Sequence, residues 1–185
     1  MAALTIYAQW DSTQLAFLRT ALSDRAIARA LHKAGATGLR DMRSEASKRI
    51  RQRKRIKAAI IRRALVMRRP RGQGLDGEWA LDVRGDRVPL AAYPHRQTKR
   101  GVSVEVNRGK RSTVTSSFIA TMRSGHRGVF VRRGTARLPI RELFGSRPAD
   151  ALLHAGEADA VLRRGQDSFM RTFHRLLPLE LAKGR

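Results

Sequence analysis

Cysteine is absent from the 185 residues, which excludes disulfides, zinc–thiolate sites, iron–sulfur clusters and a thiol nucleophile together. Aromatic residues make up only 5% of the chain. Acids are scarce as well: 15 Asp and Glu stand against 39 Lys and Arg, and none occurs between Glu45 and Asp76. No run reaches the roughly 18–20 uncharged apolar residues that span a bilayer. The N-terminal MAALTIYAQWDSTQ has neither a basic leader nor a sustained apolar stretch, so neither membrane insertion nor secretion is expected. HExxH, GxSxG and GxxxxGK(S/T) are missing, and the glycine-rich Gly72–Gly77, although spaced as GxGxxG, follows a helical pattern rather than a strand and reads as a linker. His32, His95, His126, His154 and His174 are scattered singly. Asp82, Asp86 and Glu105 fall on or beside expected strands, but 15 acids in any fold bring some together by chance. No catalytic residue, cofactor or metal is expected.

What the chain does have is positive charge, +24 in all. A field of that sign calls for a polyanionic companion: DNA, RNA or an acidic protein surface. Half of the residues from Lys48 to Arg71 are Lys or Arg. The candidate phosphate or acidic-partner contacts are Lys48, Arg49, Arg51, Arg53, Lys54 and Arg55, followed by Lys57, Arg62, Arg63, Arg68 and Arg69. The bland alternative is a solvated helix face. That segment holds no Phe, Tyr or Trp, which disfavours base stacking on single strands and leaves duplex-backbone contact open.

A hydrophobic fraction of 42% is enough for a core. The spacing predicts one α+β domain over 1–185, with a helical region over 11–69, a β-rich region over 78–145 and a C-terminal helix over 148–178. Leu4 and Ile6 suggest an opening strand. Asp11 or Ser12 then caps a helix carrying Leu15, Leu18 and Leu22. From Ser23 or Asp24, residues Ile27, Leu31, Ala34, Leu39, Met42, Ala46 and Ile50 keep a helical period, with Gly35 and Gly38 marking close packing or a bend. The pattern continues as a basic helix over 48–71, with Ile56, Ile60, Ala64 and Met67 as its anchoring stripe, until Pro70 and the glycines beyond it. Trp79, Leu81 and Val83 alternate as a strand. A second strand is expected over Val88–Tyr93, and Val102, Val104 and Val106 form a third with one wet face. The polar stretch from Arg108 to Ser117 reads as an exposed loop or arm. Strands follow over Phe118–Met122 and Gly128–Arg132. Ser146 and Pro148 open the last helix, with Leu152, Ala155, Leu162, Phe169, Phe173 and Leu176 on one face, and Pro178 stops it.

The run from Ser117 to Gly145 carries a resemblance. Phe118-Ile119-Ala120, Gly125-His126-Arg127-Gly128-Val129-Phe130 with Arg132, Arg137-Leu138-Pro139-Ile140 and Glu142-Leu143-Phe144-Gly145 occur in order. An Ala26–Arg40 helix and Arg100-Gly101-Val102 precede them. In these features the chain resembles the prophage minor tail protein Z family, the tail completion proteins of long-tailed phages, over roughly residues 1–150. Gly145-Ser146-Arg147 departs from the family's Gly-Pro-Ser ending.

The resemblance implies a structural virion protein without catalysis, acting at the head-proximal end of the tail so that it can join a DNA-filled head. It also implies assembly in the host cytoplasm, a hexameric ring, and the tail terminator, tail tube and head connector as neighbours, with packaged DNA close by. Its motif residues, Phe118, Gly125, His126, Gly128, Val129, Phe130, Arg132, Leu138, Pro139 and Phe144, are expected to pack or to contact subunits. The alternative is a basic duplex-nucleic-acid-binding protein without enzymatic activity.

Overall fold

A computed structural model describes residues 4–8, 24–69 and 78–183. The expected helix over Leu15–Leu22 and the glycine-rich stretch after Pro70 lie outside the described residues. Strand β1 (Leu4–Ala8) is followed by helix α1 (Asp24–Arg53), a short helix α2 (Ala58–Ala64) and strands β2 (Leu65–Arg68) and β3 (Trp79–Val83). Next come β4 (His95–Thr98), β5 (Gly101–Asn107), β6 (Lys110–Thr115), β7 (Ser117–Thr121), β8 (Arg127–Arg132) and β9 (Ile140–Glu142), then helix α3 (Glu157–Ala182). The class is α+β. The strands form three antiparallel sheets, ordered β1-β3-β2, β4-β5-β6 and β7-β8-β9.

Helix α1 is the axis of the molecule. Its first half buries Ile27, Ala30, Leu31 and Ala34 against Phe169 and Phe173 of α3. Its second half turns Leu39, Met42, Ala46 and Ile50 into the main core with Leu81, Val83, Val102, Val104 and Val129 from the three sheets. The two interior glycines mark close approach. A methyl on Gly35 would fall inside the Trp79 indole, and one on Gly38 would lie 2.8 Å from the Gly165 carbonyl oxygen on α3. Gly165 in turn leaves room for Met42. Backbones this close gain dispersion contacts along the whole crossing.

Ion pairs close both ends of that crossing. Glu157, at the start of α3, meets Arg49 Nη1 at 2.6 Å and Arg53 Nη2 at 2.6 Å. Glu180, near its end, meets Lys33 at 2.6 Å and Arg29 at 3.0 Å. The pairing runs α3 antiparallel to α1.

Several expectations are corrected. The single basic helix over 48–71 is three pieces: α1 ends at Arg53, α2 begins at Ala58, and Leu65–Arg68 is a strand paired with β3. Residues 54–57 contain neither Gly nor Pro. The break arises because the chain leaves the helix to pair with β5: Lys54 bridges Asn107, Arg55 N–H donates to the Val106 carbonyl at 3.0 Å, and Arg108 N–H donates to the Arg53 carbonyl at 2.9 Å. The anchoring stripe shifts accordingly, to Ile56, Ile61, Ala64 and Leu65, with Ile60 and Met67 only half-buried.

Within the expected Arg108–Ser117 loop or arm, Lys110–Thr115 is instead strand β6, folded back on β5 through a turn at Gly109, where φ is +78°. Because β5 has neighbours on both edges, Ser103 is buried and the expected wet face begins only at Glu105. Val88–Tyr93 is a Pro89–Phe144 bridge and a 3-10 turn over Leu90–Ala92. The last helix starts at Glu157, after the left-handed Gly156, and Leu152 lies in the preceding turn. It runs through Pro178, because the exposed proline forfeits one backbone bond while Glu180 beyond it is held to α1.

Gly38→Ala is expected to lower the melting temperature even though Ala is the better helix former. Overpacking costs about 1–3 kcal/mol, which exceeds a propensity gain of about 1 kcal/mol. Gly134→Ala, where no atom lies within 4 Å of the added methyl, should be near neutral. A circular-dichroism melt in which Gly38→Ala matches or exceeds the native protein would show the crossing to be loose.

Candidate anion-binding groove and the motif sheet

The cations of the basic segment divide into two groups. Arg49 and Arg53 are taken up by Glu157, Arg55 by Glu105 at 3.3 Å, and Arg68 by Asp82 at 2.8 Å. Asp82 is buried and also receives Thr5 Oγ1 at 2.9 Å and Arg84 at 3.3 Å. Burial pushes its carboxyl up, but Arg68, Thr5 and Arg84 together hold it below the usual range. Among the described residues, Lys48, Arg51, Lys54, Lys57, Arg62, Arg63 and Arg69 form no ion pair. All are exposed except the half-buried Lys54, whose Nζ donates to Asn107 Oδ1 at 2.8 Å.

Four of these basic residues converge. Arg51, Lys54, Arg55 and Lys57 line one wall of a groove of about 680 Å³, and Ala91, Ala92, Pro94 and His95 line the other, with Arg108 completing the rim. The backbone bonds that break the helix also build this groove, since they fix the exit of α1 along the same β5 whose Glu105 N–H donates to the Pro94 carbonyl at 3.0 Å. No carboxylate lines it. Sequence reasoning found the α1 side of the groove but missed Arg108 and His95. Their signal, a basic residue before Gly109 and a histidine after Pro94, has meaning only once β5 sets them beside Lys54.

The motif residues from Phe118 to Glu142 form the β7-β8-β9 sheet. Val129 faces the core. Phe118 and Phe130 pair across β7 and β8 with ring centroids 6.2 Å apart, the Arg132 guanidinium sits 5.0 Å over the Phe118 ring, and His126 meets Phe130 edge-on at 6.4 Å and Glu142 at 3.0 Å. Gly125 turns the hairpin at φ +79°. Gly128 is not a turn residue: it lies in β8, and its missing side chain makes space for the Phe130 ring, 2.7 Å from where a methyl would sit.

Leu138, at 67% exposure, and Phe144, at 48%, stay outside the core, and Pro139 is exposed too. Gly145 docks the sheet, because its bare Cα admits the Tyr93 ring, whose hydroxyl donates to the Ser146 carbonyl at 3.0 Å. Asp82 and Glu105 sit on different sheets, each occupied by arginines, and make no paired-carboxylate site. Among the described residues no group of three His, Asp or Glu could hold a metal ion, and no helix is long and apolar enough to cross a membrane. No family model, curated protein or solved structure matches the chain.

Two outcomes follow from this geometry. Phe130→Ala is expected to cost about 3–5 kcal/mol, read as a lowered urea midpoint; an unchanged midpoint would remove Phe130 from the packing of this sheet. Hydrogen bonds from Arg49 and then Arg53 hold the Glu157 carboxyl below the usual glutamate range, against the opposing effect of burial. A folded-state pKa below the unfolded one gives stability that is complete above about pH 4.3 and is lost as pH falls through the lower folded value. The stability gap between the native protein and Glu157→Gln should therefore narrow as pH drops below about 4.3. A gap that is constant with pH would show that the ion pair does not support the fold.

Proposed function

We propose that this chain is a structural, non-enzymatic virion protein of a long-tailed phage or prophage. It acts in tail completion at the head-proximal end of the tail and makes the tail competent to join a DNA-filled head. The observation that carries this reading is the ordered run from Phe118 to Gly145, which resembles the minor tail protein Z family. Two features of the fold support it. The run forms one sheet and leaves Leu138 exposed and Phe144 half exposed beside it, as a subunit-contact element requires. The surplus of unpaired cations suits a place beside DNA or acidic neck and tail proteins.

A hexameric ring is the assembly that this role calls for, formed by one heterologous contact repeated about an axis. Its neighbours are the tail terminator, the tail tube and the head connector. The protein assembles in the host cytoplasm and stays in the virion. A second reading, a basic duplex-nucleic-acid-binding protein, is favoured by the groove alone.

Inactivating the gene in a phage that carries it should leave DNA-filled heads and unattached tails side by side. Adding the purified protein to that extract should restore infectious particles. A normal yield of joined particles from the inactivated phage would overturn the reading.

A further inference from the structure

We propose that the groove at the exit of α1 is a binding site for the phosphate backbone of nucleic acid, held by Arg51, Lys54, Lys57 and Arg108 without regard to base sequence. This goes beyond the virion reading and does not depend on it. The argument starts from electrostatics. Cations from two separate parts of the chain, residues 51–57 and Arg108, face one concavity that no carboxylate lines, and among the described residues only Arg55 of them has a carboxylate partner. Like charges brought together this way repel, and more strongly beside protein than in bulk water. An anion in the groove converts that repulsion into attraction.

The site is also built before any ligand arrives. The bonds from Arg55 N–H to Val106 and from Arg108 N–H to Arg53, with the Lys54–Asn107 bridge, fix the backbone on which these side chains stand. Little ordering is left for binding to supply. A volume of about 680 Å³ accommodates a stretch of chain rather than a lone ion.

The lining selects among anions. Of the two rings in the lining, Tyr93 is buried and tied to the Ser146 carbonyl, and the half-buried His95 has its Nδ1 held 2.8 Å from the Tyr93 carbonyl oxygen, so no Phe, Tyr or Trp ring is free to stack on a base. The apolar part of the wall is Ala91, Ala92 and Pro94 over a buried Ile56, which offers no deep pocket for the aromatic or aliphatic anchor of a protein partner. Phosphates need only charged donors at the right place, and contacts of that kind carry no sequence information.

The test is a charge-reversal series on the full chain. Arg51→Glu, Lys57→Glu and Arg108→Glu together are compared with Arg62→Glu, Arg63→Glu and Arg69→Glu, which change the same charge at exposed positions outside the groove. Binding to a short DNA duplex is read by fluorescence anisotropy across a salt series. The groove set should weaken binding at every sequence and flatten the log–log salt slope by about 1 per residue, while the second set should leave the slope near the native value. Equal losses in the two sets would overturn the assignment to the groove. If the groove reversals melt early, Gln at the same positions supplies the same comparison.

A single strand of equal length serves as a second probe, since the same phosphates come from either source. Duplex-only binding would assign the source to double-stranded DNA, and binding of both would assign it to the backbone in general. Poly-glutamate displacing duplex as well as unlabelled duplex does would overturn the proposal in favour of an acidic protein.

Discussion

The crossing of α1 and α3 at Gly38 and Gly165 is the contact on which the rest of the structure depends. With no side chain between them, the two backbones lie close enough for Met42 and Phe169 to interlock on either side. α1 is thereby fixed along its length. One stretch of it packs against Phe169 and Phe173 of α3, and another packs into the sheet core. The three small sheets share no strand, so a common helix gives them a common core.

Scarcity of acid shapes everything outside that core. Among the described residues the two buried carboxylates each meet more than one cation, Asp82 with Arg68 and Arg84 and Glu180 with Arg29, Lys33 and Lys183, and the half-buried Glu157 meets Arg49 and Arg53. A buried charge is tolerable only when it is paired and hydrogen-bonded, and a chain this basic supplies partners freely. The internal clamps sort the cations. Those drawn into clamps hold elements together, and those left over, Arg51, Lys57 and Arg108 among them, set the character of the surface. The groove follows from that sorting together with the exit of α1 along β5.

The motif sheet obeys a different logic. Its inner face contributes Val129 to the core, while its outer face carries a small aromatic cluster of Phe118, Phe130 and His126 under Arg132. Tyr93 and Gly145 pin the sheet to the body of the protein. Leu138 and much of Phe144 face solvent, where apolar surface adds to stability only once something covers it.

The sequence by itself determined the α+β class, the long helix from Asp24, the strand at Trp79–Val83 and the hairpin of β7 and β8, because each is a strong local period bounded by a cap or a turn. It also marked Gly35 and Gly38 as places of close packing, since two glycines inside a helical pattern have a cost that only proximity offsets. Only the tertiary structure decided that the basic run breaks after Arg53, because nothing local interrupts QRKRIK and the competing partner, β5, lies about 50 residues further on. It decided in the same way that Lys110–Thr115 is a strand and that Pro178 does not end α3. Which arginines are spent on internal acids and which are free cannot be read from the sequence, because ion pairing is settled by where side chains meet in space.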